Sequence, residues 1–256
     1  MNVLMLLFQT GRLRLFHPGA ILCLFATGSV YADSIRIAVA SNFIAPMKQL
    51  AASFEDQTGH TVIIATGSTG KQYAHIRHGA PFDLFFAADK ERPQRLEAAG
   101  LVQPGSRFTY ALGRIALWSP QAHWFRDSTV LHQPDTFQHI AIANPKLAPY
   151  GRAARQVLQK LKLWSSLRNK IVRGENVAQA FQYIASGNAE LGFVAYTQIH
   201  GLQEPGSYWL PPASDYESIE QQAVRLSTKP AAIAFMQWVQ SPEAISIIQR
   251  FGYQTP

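Results

Sequence analysis

The chain has 256 residues, 47% hydrophobic and 15% charged, which is a globular composition with room for one large or two modest domains. Its formal charge is +7, yet the basic residues are dispersed, with no Lys/Arg run and no aromatic–basic stripe, so nucleic acid is not expected as a partner. A basic surface of this kind attracts small anions only weakly and in a salt-dependent way.

The first 32 residues read as a secretory signal. Arg12, Arg14 and His17 precede an apolar run from Ala20 to Phe25, and Val30-Tyr31-Ala32 fits small-x-small cleavage after Ala32. The lead-in Met1–Leu7 is unusually apolar, and Met5 is a second candidate start. Arg12 and Arg14 leave with the leader, so the rest carries +5. The only cysteine, Cys23, lies inside the apolar run and follows Leu22, which does not suit a lipoprotein signal. A mature chain without cysteine excludes disulfides, thiol catalysis and Cys-based metal sites, and suits an oxidising compartment. No other stretch approaches the ~18 apolar residues of a membrane span.

Ile35-Arg36-Ile37-Ala38-Val39-Ala40 alternates as a strand does, and Ser41-Asn42-Phe43 leads into a helix with Pro46 near its start and Leu50, Ala51 and Phe54 on its apolar face. Thr58-Gly59-His60 ends that helix. A strand over 61–65 then breaks into Gly67-Ser68-Thr69-Gly70-Lys71 and a helix over 70–78. Gly79-Ala80-Pro81 stops it, Asp83-Leu84-Phe85-Phe86-Ala87 is the next strand, and a helix over 89–99, N-capped by Asp89, ends at Gly100. This βαβαβα order predicts a parallel sheet with helices on its faces. Residues 107–118 read as one long strand able to cross from one lobe to another. Residues 119–138 are loop-rich. A second series begins at His139-Ile140-Ala141-Ile142-Ala143, with helices over 152–161 and 178–186, a short strand at Ile171-Val172, and a strand at Leu191-Gly192-Phe193-Val194-Ala195. Tyr208-Trp209-Leu210 reads as the return crossing and Ala223–Leu226 as a further strand, with helices over 229–240 and 242–250 closing the chain.

Four strand-to-helix turns stand out: Ala40-Ser41-Asn42, Gly67-Ser68-Thr69-Gly70, Ala148-Pro149-Tyr150-Gly151 and Glu175-Asn176-Val177. Singly, each reads as an ordinary helix cap. As a set, two per series, they read either as four routine caps or as four helix N-termini facing one cleft, where ligands of open parallel sheets bind. Each terminus carries about half a positive charge, so four would offset a dianion without Lys or Arg in contact. The donors would be N–H groups, the hydroxyls of Ser41, Ser68, Thr69 and Tyr150, and the Asn42 amide. Catalytic signatures are weak: His75 and His78 suit a solvated helix face, no G-x-S-x-G elbow occurs, and Gly67–Lys71 lacks P-loop spacing.

The stretches Val39-Ala40-Ser41-Asn42-Phe43, Gly67-Ser68-Thr69-Gly70, Gly79–Asp89, Asn144-Pro145, Ala148-Pro149-Tyr150-Gly151 and Leu191-Gly192-Phe193-Val194 together resemble the periplasmic molybdate-binding proteins of ABC transporters, across about residues 34–254. The resemblance implies an α/β fold of two lobes, each a mainly parallel sheet flanked by helices, closing on an oxyanion between them. Lobe 1 is expected over 33–112 and 208–256, and lobe 2 over 113–207. It implies binding of molybdate, and of tungstate, through Ser41, Asn42, Ser68, Thr69, Tyr150 and Val177, the last two by backbone N–H. Some members place a tyrosine directly after the Leu-Gly-x-Val strand; here Ala195 stands there and Tyr196 follows, so Tyr196 is doubtful as a ligand and the phenol could come from Tyr150 instead. The implied protein is a periplasmic, monomeric carrier that delivers its cargo to an inner-membrane ABC permease, without catalysis, without cofactor, and with molybdenum only as the bound oxyanion. A carrier of sulfate or another tetrahedral oxyanion is the nearest alternative. A phosphoryl hydrolase or transferase lacks a nucleophile–base pair, and a regulator's sensing domain lacks a helix-turn-helix segment.

Overall fold

The computed structural model describes residues 32–256, which form one compact unit. The leader expected over residues 1–32, Cys23 included, lies outside the described residues save for Ala32 itself. Among the described residues no helix is long and apolar enough to cross a membrane.

The first sheet is built on β1 (Ser34–Ala40), which pairs in parallel with β2 (Thr61–Gly67) on one side and β3 (Leu84–Phe86) on the other. The alternation of β1 sends Ile35, Ile37 and Val39 to one face. There they meet Phe43, Met47, Leu50 and Phe54 at the start and along the apolar stripe of α1 (Ile44–Thr58). Ala38 faces the other way, with Phe85 of β3, Ile76 of α2 (Thr69–Arg77) and Leu96 of α3 (Glu91–Ala98). Helices thus cover both faces, as parallel strands require. β4 (Phe108–Gly113) completes the sheet at its edge, but only through a strand from much later in the chain, β10 (Ile219–Arg225), which runs antiparallel between β3 and β4.

The second sheet repeats the plan around β6 (Ile140–Ala143), parallel to β7 (Ile171–Gly174) and to β8 (Leu191–Ala195). Helix α4 (Pro149–Lys160) packs on the face of Ile140 and Ile142, and α5 (Val177–Ala185) on the face of Ala141. A short α6 (Tyr196–Ile199) follows β8 directly. Antiparallel β5 (Ile115–Ser119) and β9 (Ser207–Trp209) close the far edge. Helices α7 (Pro230–Trp238) and α8 (Pro242–Arg250) return to the first sheet.

Two expectations need correction. Residues 107–118 are not one strand. The ladder of β4 to β10 ends at Gly113, and β5 starts at Ile115 against β8 in the other sheet, so Arg114 alone is the first crossing. Tyr208 and Trp209 are not the return crossing: they pair with Trp118 and Leu117 in the second sheet, and the chain crosses back between Trp209 and Ile219. The strands of the second sheet thus run from 115 to 209. An aromatic pair such as Tyr208-Trp209 reads as a free span in the sequence because its partners lie about ninety residues back.

The aromatic knot of the first lobe fixes the turn after β1. The Phe43 ring is fully buried, 4.6 Å from Tyr110, 5.2 Å from Tyr253 and 6.3 Å from Phe86 between ring centroids. Phe43→Ala is expected to cost about 3–5 kcal/mol of unfolding free energy, read from urea midpoints. A cost under about 1 kcal/mol would show that the knot does not hold this turn.

Candidate functional site

Four helices start at the carboxyl ends of parallel strands: the 3-10 turn Ser41–Phe43 leading into α1, then α2, α4 and α5. Their N-termini converge on one cavity between the sheets, lined by Ala40, Ser41, Asn42, Gly67, Ser68, Thr69, Ala88, Ala148, Pro149, Tyr150 and Val177. All six residues singled out in the sequence line it. The cavity has about 170 Å³ of empty volume including its mouth, the scale of one compact guest. No charged side chain is among the lining residues.

Each hydroxyl here accepts a backbone N–H, which leaves its own proton for a guest. Ser41 Oγ accepts from Ala178 N across the cleft at 3.4 Å, Ser68 Oγ from Lys71 N at 3.4 Å, and Thr69 Oγ1 from Ala88 N at 3.1 Å. The first-turn N–H groups of a helix have no partner inside it. In α2, Gly70 N is spent on Leu147 O and Gln72 N on Ser68 O, which leaves that of Thr69. In α5, Ala178 and Gln179 are spent on Ser41 and Asn176, which leaves that of Val177. In α4, Pro149 has no N–H, so Tyr150 is the first donor. Thr69, Tyr150 and Val177, whose N–H groups are thus left, all line the cavity.

The description "bacterial extracellular solute-binding protein" matches residues 35–254. The chain belongs to this family. Among curated relatives, this solute-binding protein is 46% identical to the molybdate-binding protein ModA of Azotobacter vinelandii over 227 residues, covering 87% of this chain and 90% of that one. It is 44% identical to ModA of Rhodobacter capsulatus over 227 residues, with 88% and 89% covered. Among solved structures, the Azotobacter vinelandii periplasmic molybdate-binding protein superposes with a TM-score of 0.83 at 44% identity, over 87% of this chain and 99% of that one.

The solute-binding protein departs from its sequence reading at two side chains. Asn42 does not aim its amide at the cavity. Its Nδ2 donates to Gln221 Oε1 at 2.7 Å and to Tyr253 Oη at 2.9 Å, which uses both protons, so Asn42 offers the cavity its backbone N–H. The Tyr150 phenol is directed at the end of β4 and at Gln221 on β10, where a Cβ on Gly113 would meet its oxygen; neither residue lines the cavity. That buried hydroxyl has no hydrogen-bond partner among the described residues. Tyr196, doubtful from the sequence, does not line the cavity: its hydroxyl shares a hydrogen bond with His200 Nδ1 at 3.1 Å, and its ring lies under the Arg114 guanidinium at 4.2 Å. His75 and His78 are exposed, and among the described residues no cluster of His, Cys, Asp or Glu could hold a metal ion. Asp89 does cap α3, accepting from Arg92 N at 3.1 Å.

Gln221 and Tyr253 escaped the sequence reading. Gln221 sits in the first half of β10, ahead of the expected strand Ala223–Leu226; the signal in the sequence is the glutamine pair Gln221-Gln222 entering an apolar strand. Tyr253 donates to Asn42 O at 2.8 Å and accepts from Thr197 Oγ1 of the second lobe at 3.3 Å. Burial pushes its hydroxyl up to about 12, and raises those of Tyr110 and Tyr150 well above the usual tyrosine value. These raised values stabilise the fold fully below the unfolded tyrosine value near 10. That stability is lost as pH rises through the folded value, because the unfolded chain gives up its protons first. Wild-type stability is expected to fall between about pH 10 and pH 12, Tyr253 contributing on the order of 3 kcal/mol. Tyr253→Phe should cost about 1–3 kcal/mol at neutral pH, since Asn42 loses its partner, and should flatten the alkaline fall. An unchanged alkaline profile would remove Tyr253 from the linkage.

Proposed function

We propose that this chain captures molybdate, and tungstate in its place, in the periplasm and hands it to an ABC-type membrane permease. The observation that carries the reading is the cavity itself: N–H and O–H donors from both lobes, aimed inward, with no charged side chain in the lining. Molybdate and tungstate are fully deprotonated dianions near neutral pH and need donors only. A phosphate group keeps a proton that asks for an acceptor, and the nearest carboxylate by sequence, Glu175, lies exposed and paired with Lys71 at 3.4 Å. The relatives named molybdate-binding, at 46% and 44% identity, support the same choice of ligand.

In this reading Ser41, Ser68 and Thr69 donate through hydroxyls, and Asn42, Thr69, Tyr150 and Val177 through backbone N–H. Hydrogen bonds to a charged group contribute about 1.5–3 kcal/mol each, so several give micromolar or tighter binding after association costs. The four helix N-termini add about half a positive charge apiece. The carrier works without a cofactor and without a catalytic step, as a monomer released by cleavage after Ala32.

Calorimetric titration with molybdate, tungstate, sulfate and phosphate at one salt concentration tests this. Tight one-to-one binding of the first two, with the others far weaker, is the expected result. Sulfate bound as tightly as molybdate would move the function to general tetrahedral-oxyanion uptake, and binding of none would dismiss the cavity as a site. Thr69→Ala removes a donor and strands Ala88 N, so affinity should fall about tenfold or more, as the loss of ~1.5 kcal/mol implies. Tyr150→Phe should leave affinity within about twofold, because the hydroxyl faces Gly113 and Gln221; a large loss would return the phenol to the ligand.

A further inference from the structure

The mouth of the cleft is held by contacts that do not touch the cavity. The turn before α4 presents two consecutive carbonyls of the second lobe to the first. Gly70 N, one of the first-turn donors of α2, gives its hydrogen bond to Leu147 O at 2.8 Å. Arg92 Nη2, from the first turn of α3, reaches Lys146 O at 3.2 Å. The guanidinium is held from behind by Asp89, a buried carboxylate that pairs with Arg92 Nη1 and also accepts its backbone N–H. Arg152 on α4 answers with an ion pair to Glu91 at 2.9 Å.

Gly70 is glycine for this contact and not for its backbone, since its φ is not positive. A Cβ there would stand 2.9 Å from Leu147 O and 3.1 Å from both Leu147 Cα and Arg92 Nη2. Two of those three atoms belong to the opposite lobe's backbone, which cannot swing aside as a flexible side chain can. The residues that follow the gripped carbonyls are Ala148, Pro149 and Tyr150, which line the cavity.

We infer that Gly70 and Arg92 form a latch on the Lys146 and Leu147 carbonyls that sets the population of the closed cleft, and with it the affinity for the enclosed oxyanion. The two are positioning residues: they place the Tyr150 N–H over the guest without meeting it. The inference rests on the oxyanion reading above. It has a sign that a purely structural role lacks. Alanine is a better helix former than glycine, by up to about 1 kcal/mol in a helix interior and less in a first turn, so Gly70→Ala should leave the ligand-free protein no less stable while it opposes closure.

The test uses the mature chain with spin labels on Gln94→Cys in α3 and Gln159→Cys in α4, both exposed, with molybdate as the probe. In the wild type, saturating molybdate should narrow the interlobe distance to one closed population. Gly70→Ala and Arg92→Gln should each weaken molybdate binding at least tenfold by calorimetry and retain an open population at saturation, with the ligand-free melting temperature of Gly70→Ala not lowered. Arg95→Gln, whose guanidinium pairs with Glu91 on its own helix, is the control and should change neither reading. Binding within twofold of wild type together with full closure in Gly70→Ala would overturn the latch. If the wild type binds neither molybdate nor tungstate, the proposed function fails on its own. The latch is then judged on the ligand-free protein: it stands if Gly70→Ala lengthens the mean distance and falls if it does not.

Discussion

The Asn42 side chain ties the cavity to everything behind it. One amide, 5% exposed, donates to a strand residue 179 positions later and to a tyrosine 211 positions later, and that tyrosine returns a hydrogen bond to the Asn42 carbonyl. An unpartnered amide at this depth would cost about 1–3 kcal/mol, so the turn after β1 is stable only with β10 and the C-terminal segment in place. The same tyrosine accepts from Thr197, which brings the second lobe into the arrangement. The floor of the cavity is therefore set by long-range partners before any ligand enters.

A site without formal charge depends on that rigidity. A lysine can follow an anion; a backbone N–H is useful only where the fold has aimed it. The hydroxyls are aimed by a similar economy, each accepting one backbone N–H and keeping one proton free. The acidic and basic residues nearby are directed elsewhere: Asp89 to Arg92, Glu91 to Arg95 and Arg152, Glu175 to Lys71. Charge surrounds the cavity and closes its mouth, while dipoles line it.

Local chemistry explains which parts were legible in the sequence. Strand-to-helix turns are written in consecutive residues, so Ser41, Asn42, Ser68, Thr69, Tyr150 and Val177 could be found from their own neighbours, and the structure brings all six to one cavity. The direction in which a side chain points is written elsewhere. Whether the Asn42 amide faces a guest depends on Gln221 and Tyr253, and the aim of the Tyr150 phenol depends on Gly113 having no side chain. The break at Arg114 is hidden for a related reason: apolar residues resume directly after Gly113-Arg114, and only the pairing partners, β10 before it and β8 after it, show that the chain changes sheets.

The place of β10 has a consequence for the order in which the molecule assembles. The second sheet draws on one continuous stretch and can close as soon as β9 has emerged. The first cannot: among the described strands β4 pairs only with β10, and its one other bridge, Leu112 to Gln254, comes later still, so residues 34–113 wait with an unfinished edge while the other lobe forms. Pairings of such sequence separation are slow, because loop closure precedes any reward in contacts. The lobe that comes first in the chain is thus the one completed last, and the edge that β10 fills is the natural point at which a misdirected strand would engage.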